Sequence, residues 1–136
     1  MIEEKSAGII LVLKGEEDRF LLIKHNEGHW GFPKGHIEKS EKSKESAVRE
    51  LKEETGITEI EFAQLPSIFE EYDFNKDSKE IHKRNQYFIA FTKQEKVVIQ
   101  PEEIKSYKWS TFDEAINTFE YKEPKEVLKE AQKYIK

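Results

Sequence analysis

The sequence predicts one α/β domain in which a mixed β-sheet is packed between helices. Three observations support this prediction. Short apolar stretches typical of strands precede and follow a helix, and two further helical patterns close the chain. A length of 136 residues suits a single domain, and no linker, repeat or low-complexity segment interrupts it. Nine Phe, five Tyr and two Trp supply apolar area for a core, although 38% of the residues are charged.

Two apolar strands and a loop are predicted at the start of the chain. The stretches Ala7–Leu13 and Phe20–Ile23 are short and apolar, and the polar segment Lys14–Arg19 between them predicts a hairpin turn. Two glycines and a proline within His29–Ile37 predict an irregular loop instead of a regular element.

Three helices are predicted. The first begins at Ser43, a plausible N-cap, and runs to Thr55, with Gly56 placed to end it. Thr111 and Glu114 form a capping-box pattern that predicts a short helix through Phe119. The last helix has Pro124 in its first turn and an apolar face made of Val127, Leu128, Ala131, Tyr134 and Ile135. Strands are predicted between the first two helices at Ile60–Ala63, Ile68–Tyr72, Gln86–Phe91, Val97–Ile99 and Tyr107–Trp109.

Composition excludes several function classes. The chain has no cysteine, which rules out disulfides, thiolate metal sites and thiol nucleophiles. A net charge of −5 argues against a duplex-binding protein, which normally carries a basic surplus. The longest apolar run, Ala7–Leu13, is too short to cross a bilayer, and no signal peptide is recognisable. We therefore expect a cytoplasmic protein with no membrane partner, either monomer or homodimer.

The first predicted helix carries three glutamates on one face. At about 100° per residue, Glu53 and Glu54 lie on either side of Glu50. Like charges at this spacing oppose the helix by a few tenths of a kcal/mol each, and negative charge near the C-terminal end also opposes the helix dipole. A divalent cation that prefers oxygen ligands would relieve this repulsion. A merely solvated acidic face explains the same triplet, so the spacing alone leaves both interpretations open.

The residues around this triplet extend the pattern. Gly35 is followed by five residues, then Glu41, then seven residues, then Arg49-Glu50-Leu51-Lys52-Glu53-Glu54-Thr55-Gly56-Ile57. This arrangement resembles the Nudix box at all nine defining positions. The resemblance implies the Nudix fold, an α/β/α sandwich, with residues 1–136 forming a single hydrolase domain. It also implies Mg²⁺ as cofactor, with Mn²⁺ as a substitute.

The resemblance further implies roles for individual residues. The expected metal ligands are Gly35, Glu50, Glu53, Glu54 and Glu103. The expected catalytic residues are Glu54 or Glu53 as general base, Arg49 as the residue that orients the carboxylates, and Glu103. Glu54 is the preferred base. Glu103 follows Pro101 in a later segment, where a solvated loop glutamate is an equally good interpretation.

The segment Phe32–Ile37 narrows the range of expected substrates, because it resembles the corresponding segment of asymmetrical diadenosine tetraphosphate hydrolases. That resemblance implies a set of substrate contacts, in which cationic side chains bind phosphate and tyrosines bind the base: His29, Lys34, His36, Lys83, Tyr87 and Tyr121. Solvated Lys and His side chains and core tyrosines are the alternative interpretation.

The implied reaction is hydrolysis of diadenosine tetraphosphate to ATP and AMP, by attack of water on a phosphoanhydride. Two alternatives stay within the family, namely an RNA 5′ pyrophosphohydrolase and a nucleoside triphosphate pyrophosphatase. An RNA 5′ end is the one nucleic acid we consider as substrate. A third alternative, a nucleotide-sensing Nudix-fold module without catalysis, belongs to a different functional class.

Overall fold

A computed structural model describes residues 1–135, which form eight strands and three helices. The strands are β1 (Ile2–Leu13), β2 (Arg19–His25), β3 (Trp30–Gly31), β4 (Lys34–His36), β5 (Ile60–Phe62), β6 (Ile68–Lys76), β7 (Lys79–Thr92) and β8 (Ile104–Ser110). The helices are α1 (Ser43–Thr55), α2 (Phe112–Thr118) and α3 (Lys122–Ile135).

The sheet is mixed and is built around one long parallel pair. Strands β1 and β7 run parallel from the pair Ile2–Ile81 to the pair Leu13–Thr92. The other pairings are antiparallel: β1 with β2 and β4, β2 with β3 and β8, and β7 with β5 and β6. Strand β1 pairs with β4 at its middle, through Ser6–Gly8, and with β2 at its end, through Val12 and Leu13.

Alternate side chains of β1 pack in two separate hydrophobic cores, one on each face of the sheet. Ile10 and Val12 pack with the side chains of α2 and α3. Ile9 and Leu11 pack with Ala47 and Leu51 of α1 on the opposite face. This alternation is the period-two pattern of a strand buried on both sides. The predicted sandwich of a mixed sheet between helices is confirmed.

The N-cap of helix α1 lies one residue before the predicted N-cap, Ser43. Lys42 occupies the N-cap position and Ser43 is the first helical residue, because the Glu45 carboxylate accepts a hydrogen bond from the Lys42 N–H at 2.8 Å. The predicted end is confirmed. Gly56 adopts φ +73°, and its N–H donates to the carbonyl of Lys52 at 2.9 Å. This left-handed conformation favours glycine.

Two other predictions about secondary structure were wrong. The segment His29–Ile37 is not wholly irregular, since it contains β3 and β4, and β4 pairs with β1. The segment Val97–Ile99 is not a strand. The N–H of Val98 donates to the carbonyl of Thr55 at 2.9 Å, so the segment is bonded to the end of α1 instead of to another strand.

The C-terminal helices cover one face of the sheet. Thr111 and Glu114 form the predicted capping box at the start of α2. Pro124 lies in the first turn of α3, as predicted, but Tyr134 is exposed and does not belong to its buried face. Within residues 1–135, no helix is long and apolar enough to span a membrane.

Candidate active site

Three carboxylates converge at the C-terminal half of α1. Glu50 and Glu54 project from the helix, and Glu103 comes from the turn just before β8. One oxygen from each lies within 4.8 Å of the others. Such an all-oxygen donor set fits a hard divalent cation such as Mg²⁺. The sequence placed Glu103 at this site only through the family resemblance, whereas the structure brings its side chain there directly.

Burial makes these carboxylates costly to ionise without a counter-charge. Glu54 is 2% exposed, and burial, followed by the charge of Glu50, raises its pKa to about 9. Burial also raises the pKa of Glu50, against the opposing effect of Arg49. A carboxylate whose pKa is raised in this way is more stable when it binds a proton or has a cation nearby.

Arg49 connects several acidic side chains on the outer side of this cluster. Its guanidinium donates to Glu41 at 2.7 and 3.0 Å, to Glu50 at 2.9 Å and to Glu53 at 3.1 Å. It also donates to the carbonyl of His36 at 3.2 Å. These hydrogen bonds lower the pKa of Glu41 to about 2. Three carboxylates thus share one guanidinium, and the orienting role of Arg49 stays a prediction.

Glu53 is placed differently from the other two acids of the helix. Both of its carboxylate oxygens lie 3.1 Å from Nη1 of Arg49, and its side chain is 49% exposed. It lies outside the group formed by Glu50, Glu54 and Glu103. The structure therefore does not bring Glu53 together with the remaining predicted metal ligands, and that role stays a prediction.

Strand β4 lies so close to α1 that a side chain at position 35 would displace the carboxylate of Glu50. A Cβ on Gly35 would collide with the carboxylate of Glu50. One residue earlier, the Lys34 N–H donates to Oε1 of Glu54 at 3.0 Å. The backbone of β4 thus lies beside two acids of the cluster, and the carbonyl of Gly35 stays a predicted ligand.

Basic side chains line the same cavity, which has a volume of ≈ 520 Å³. Lys34, His36 and Lys83 are all part of its wall. Lys83 is buried and donates to Oγ of Ser6 at 2.6 Å. Burial, followed by the charge of Lys34, lowers the Lys83 pKa to about 8. We call this cavity, with its three carboxylates, the acidic half of the cleft.

A second cavity of ≈ 570 Å³ continues from the first and shares His25, Glu27, His29 and Lys34 with it. Its wall is rich in rings, from Trp30, Tyr72, Phe74, Tyr87 and Tyr121. We call it the aromatic half of the cleft. His29 contacts Tyr121 edge-on at 6.2 Å between ring centroids, so these two predicted site residues do meet.

The two tyrosines predicted to bind the base differ in accessibility. Tyr121 is 59% exposed, with a free ring face. Tyr87 is 2% exposed, packs against Phe32 at 5.4 Å and donates to Glu70 at 3.3 Å. This burial leaves Tyr87 no free ring face for stacking, so it forms the floor of the aromatic half.

Sequence reasoning missed several residues that line the cleft, among them Phe74, Glu70 and His25. Phe74 and Glu70 lie on β6, and Glu70 is a buried carboxylate bonded to Asn85 at 2.7 Å. His25 has a buried Nε2 atom without a hydrogen-bond partner among residues 1–135. Burial and the charge of Lys34 lower its pKa to about 4. The alternation of β6 could have indicated Phe74 and Glu70, but no local signal distinguishes His25.

Comparison with known protein families places the NUDIX domain on residues 4–131. The chain belongs to the Nudix family. It is therefore a Nudix hydrolase, and the resemblance based on Gly35, Glu41 and residues 49–57 is confirmed.

Individual relatives agree with this assignment. The mouse bis(5′-nucleosyl)-tetraphosphatase [asymmetrical] is 35% identical over 121 residues, which cover 85% of this chain and 80% of the mouse protein. An RNA pyrophosphohydrolase of Nitratiruptor sp. is 34% identical over 118 residues, covering 79% of this chain and 74% of that protein. A crystal structure of a C. elegans Ap4A hydrolase binary complex has a TM-score of 0.83 at 26% identity, covering 97% of both chains.

Proposed function

We propose that this chain is an Mg²⁺-dependent hydrolase that splits diadenosine tetraphosphate into ATP and AMP. The observation that carries the proposal is the joining of the two halves of the cleft. Three carboxylates within 4.8 Å open onto a ring-lined cavity, and His29 and Lys34 belong to both. The mouse relative, named for asymmetrical cleavage of a dinucleoside tetraphosphate, supports the same substrate class. The proposal treats residues 1–136 as one hydrolase domain.

The metal would be held by Glu50, Glu54 and Glu103, with the Gly35 carbonyl as a further ligand. When bound, Mg²⁺ or Mn²⁺ neutralises phosphate charge and lowers the pKa of a coordinated water. Glu53 can join this set only if its carboxylate leaves Arg49. Arg49 donates a hydrogen bond to Glu50 at the edge of the same cavity, so its proposed role is to orient a ligand.

Glu54 is our choice for the general base. Its carboxylate is buried beside Glu50, and the Lys34 N–H fixes one of its oxygens. Once the bound cation shares the charge of the cluster, the Glu54 carboxylate is ionised near neutral pH and can accept the proton of the attacking water. Attack at one phosphorus then breaks the bond to the bridging oxygen, which leaves with the second nucleotide.

Cationic side chains would bind the polyphosphate between the two halves of the cleft. Lys34 and Lys83 provide positive charge next to the carboxylates, and His29 and His36 lie on either side of them. An acidic chain of net charge −5 needs such local cations to attract a polyanion.

The aromatic half would bind one adenine. Tyr121 offers an accessible ring, with Tyr72 and Phe74 across the cavity from α3. Stacking of a base on an aromatic side chain contributes about 1–3 kcal/mol. Tyr87 supports this surface from below through its contact with Phe32 and does not stack.

A substrate panel in ¹⁸O-labelled water tests the proposal. The full chain with Mg²⁺ should convert diadenosine tetraphosphate to equimolar ATP and AMP, with label in one product. Omitting the metal should abolish turnover. The panel includes 5′-triphosphorylated RNA and nucleoside triphosphates. Turnover of either at or above the rate for diadenosine tetraphosphate would overturn the substrate assignment. Binding without any turnover would instead favour a nucleotide-sensing module.

A further inference from the structure

The turn that carries Glu103 is bonded to the protein on two sides. On one side, the N–H of Gln100 donates to the carbonyl of Glu54 at 3.3 Å, and the carbonyl of Gln100 accepts from Glu103 and Ile104. These contacts attach the turn to the end of α1. They do not by themselves fix its opposite side, which faces β2.

On the other side, a single residue binds three consecutive carbonyl groups. The side-chain Nδ2 of Asn26 donates to Pro101 at 3.2 Å and to Glu102 at 2.7 Å. The backbone N–H of Asn26 donates to the carbonyl of Glu103 at 2.9 Å. Asn26 and Glu103 also line the same cavity. Asn26 is therefore the link between β2 and the turn.

The backbone around Asn26 is shaped for this contact. The register of β2 with β8 shifts between Lys24 and His25, immediately before Asn26. Such bulges redirect the following side chains and are common next to active sites. A tight turn follows, because the N–H of Gly28 donates to the carbonyl of His25 at 2.8 Å.

We propose that Asn26 is a positioning residue, which fixes the 101–103 turn so that the Glu103 carboxylate faces Glu50 and Glu54. This inference rests on the proposed function, because it requires the three carboxylates to bind a metal. Glu103 is exposed and lies outside regular structure, so its carboxylate has conformational freedom to lose on binding a cation. Asn26 removes part of that freedom in advance.

A double-mutant cycle on metal binding tests the inference. Mn²⁺ affinity is measured by calorimetry in the full chain, in Asn26→Ala, in Glu103→Gln and in the double variant. Loss of residues that hold metal ligands typically weakens metal affinity by about 10–100-fold. We expect Asn26→Ala to weaken Mn²⁺ binding within that range. In the Glu103→Gln background, the same change should have less than about a twofold effect, because coupled residues are not additive.

Asn117→Ala is the matched control, since Asn117 is exposed on α2. It should leave Mn²⁺ affinity unchanged. Asn26 is itself exposed, so its truncation should preserve the fold, which circular dichroism would verify. Amide hydrogen exchange gives a second measurement. In Asn26→Ala, protection should fall at Glu103 and Ile104, while the amides of α1 keep theirs.

The outcomes separate this inference from the proposed function. Failure of the unaltered chain to bind Mn²⁺ would overturn both. If the unaltered chain binds Mn²⁺ and Asn26→Ala binds it equally well, the positioning role alone is wrong. An effect of Asn26→Ala that persists undiminished in the Glu103→Gln background would also overturn it, because Asn26 would then act independently of Glu103.

Discussion

The acidic half and the aromatic half of the cleft are held together to very different degrees. In the acidic half, Arg49 alone donates to three carboxylates and one carbonyl, and Glu54 is fixed by a backbone N–H. In the aromatic half, Tyr121 is 59% exposed, and its aromatic contact is with His29, edge-on at 6.2 Å. The acidic half is preorganised for chemistry, whereas the aromatic half leaves its stacking surface open to a ligand.

The two halves of the cleft also differ in how far apart along the chain their residues lie. The acidic half comes mainly from β4 and α1, which lie within 22 residues of each other, with Lys83 and Glu103 as distant members. The aromatic half combines rings from β3, β6, β7 and the segment just before α3. Most of the proposed catalytic residues therefore lie in a short motif, whereas the proposed base-binding residues lie in segments that meet only in the folded chain.

The largest effect is expected at Glu54, where a substitution tests whether the acidic half carries out the chemistry. We expect Glu54→Gln to lower kcat by about a thousandfold, within the range for loss of a general base. Binding of diadenosine tetraphosphate should persist, and the fold should be retained, because glutamine has nearly the same shape. Steady-state kinetics and circular dichroism provide the measurements. Glu61→Gln, at an exposed site on β5, is the control. Unchanged hydrolysis in Glu54→Gln would remove Glu54 from the mechanism.

Arg49 should give the next largest effect. In Arg49→Ala, three neighbouring carboxylates lose their shared counter-charge, and the pKa of Glu41 should rise towards its ordinary value. We expect Mn²⁺ affinity to fall by about tenfold or more, together with a lower melting temperature. Arg49→Lys should restore little, since an ammonium cannot reproduce the planar fork.

Calorimetry and thermal melting measure both effects. Arg84→Ala is the control, because Arg84 stacks on Phe69 at 4.2 Å, with β6 residues and not the acidic half as its partners. An Arg49→Ala variant with parental Mn²⁺ affinity would show that the carboxylates hold their positions without the guanidinium.

Tyr121 tests the aromatic half. Tyr121→Ala should raise KM for diadenosine tetraphosphate by about tenfold, which corresponds to roughly 1.4 kcal/mol of lost stacking, and leave kcat nearly unchanged. Tyr134→Ala removes an exposed ring near the end of α3 and should alter neither parameter. A fall in kcat at constant KM would place Tyr121 in the chemistry and blur the division between the two halves.

The smallest expected effect on kcat/KM comes from Lys83, and it depends on pH. Its pKa is lowered to about 8, so the side chain is charged below that pH and neutral above it. We expect kcat/KM to decline by about fivefold as pH rises through 8, since roughly 1 kcal/mol of phosphate binding is lost. In Lys83→Gln this decline should vanish, with kcat/KM constant at the lower level. A decline that survives in Lys83→Gln would assign it to another group.

The sequence predicted the regular parts of this molecule better than the parts that carry substrate contacts. Gly56 and the apolar positions of α1 placed that helix to within one residue, because helix ends have local signals. Strand β7 begins at Lys79, seven residues before the predicted start at Gln86. The missing stretch contains Lys83 and Asn85, which are polar but buried, so apolar periodicity could not reveal them.

Site prediction shows the same division. The motif located Glu50 and Glu54 correctly beside each other, since three or four residues apart on a helix means adjacency. The motif could not show that Glu53, unlike Glu50 and Glu54, turns outward to Arg49. Nor could it indicate Asn26, whose partners lie 75 and 76 residues away in the chain. Contacts at that distance depend on strand register, for which the sequence carries no local mark.

The long parallel pairing of β1 with β7 has a consequence for how the enzyme acquires its activity. Each of its residue pairs, from Ile2–Ile81 to Leu13–Thr92, joins positions 79 residues apart. Closing so large a loop costs entropy before the contacts repay it, which slows folding. During synthesis, the residues of α1 emerge well before β7, the strand that supplies Lys83, which is complete only when about two thirds of the chain exists. The acidic segment is therefore made before the sheet and the cleft against which it packs can form.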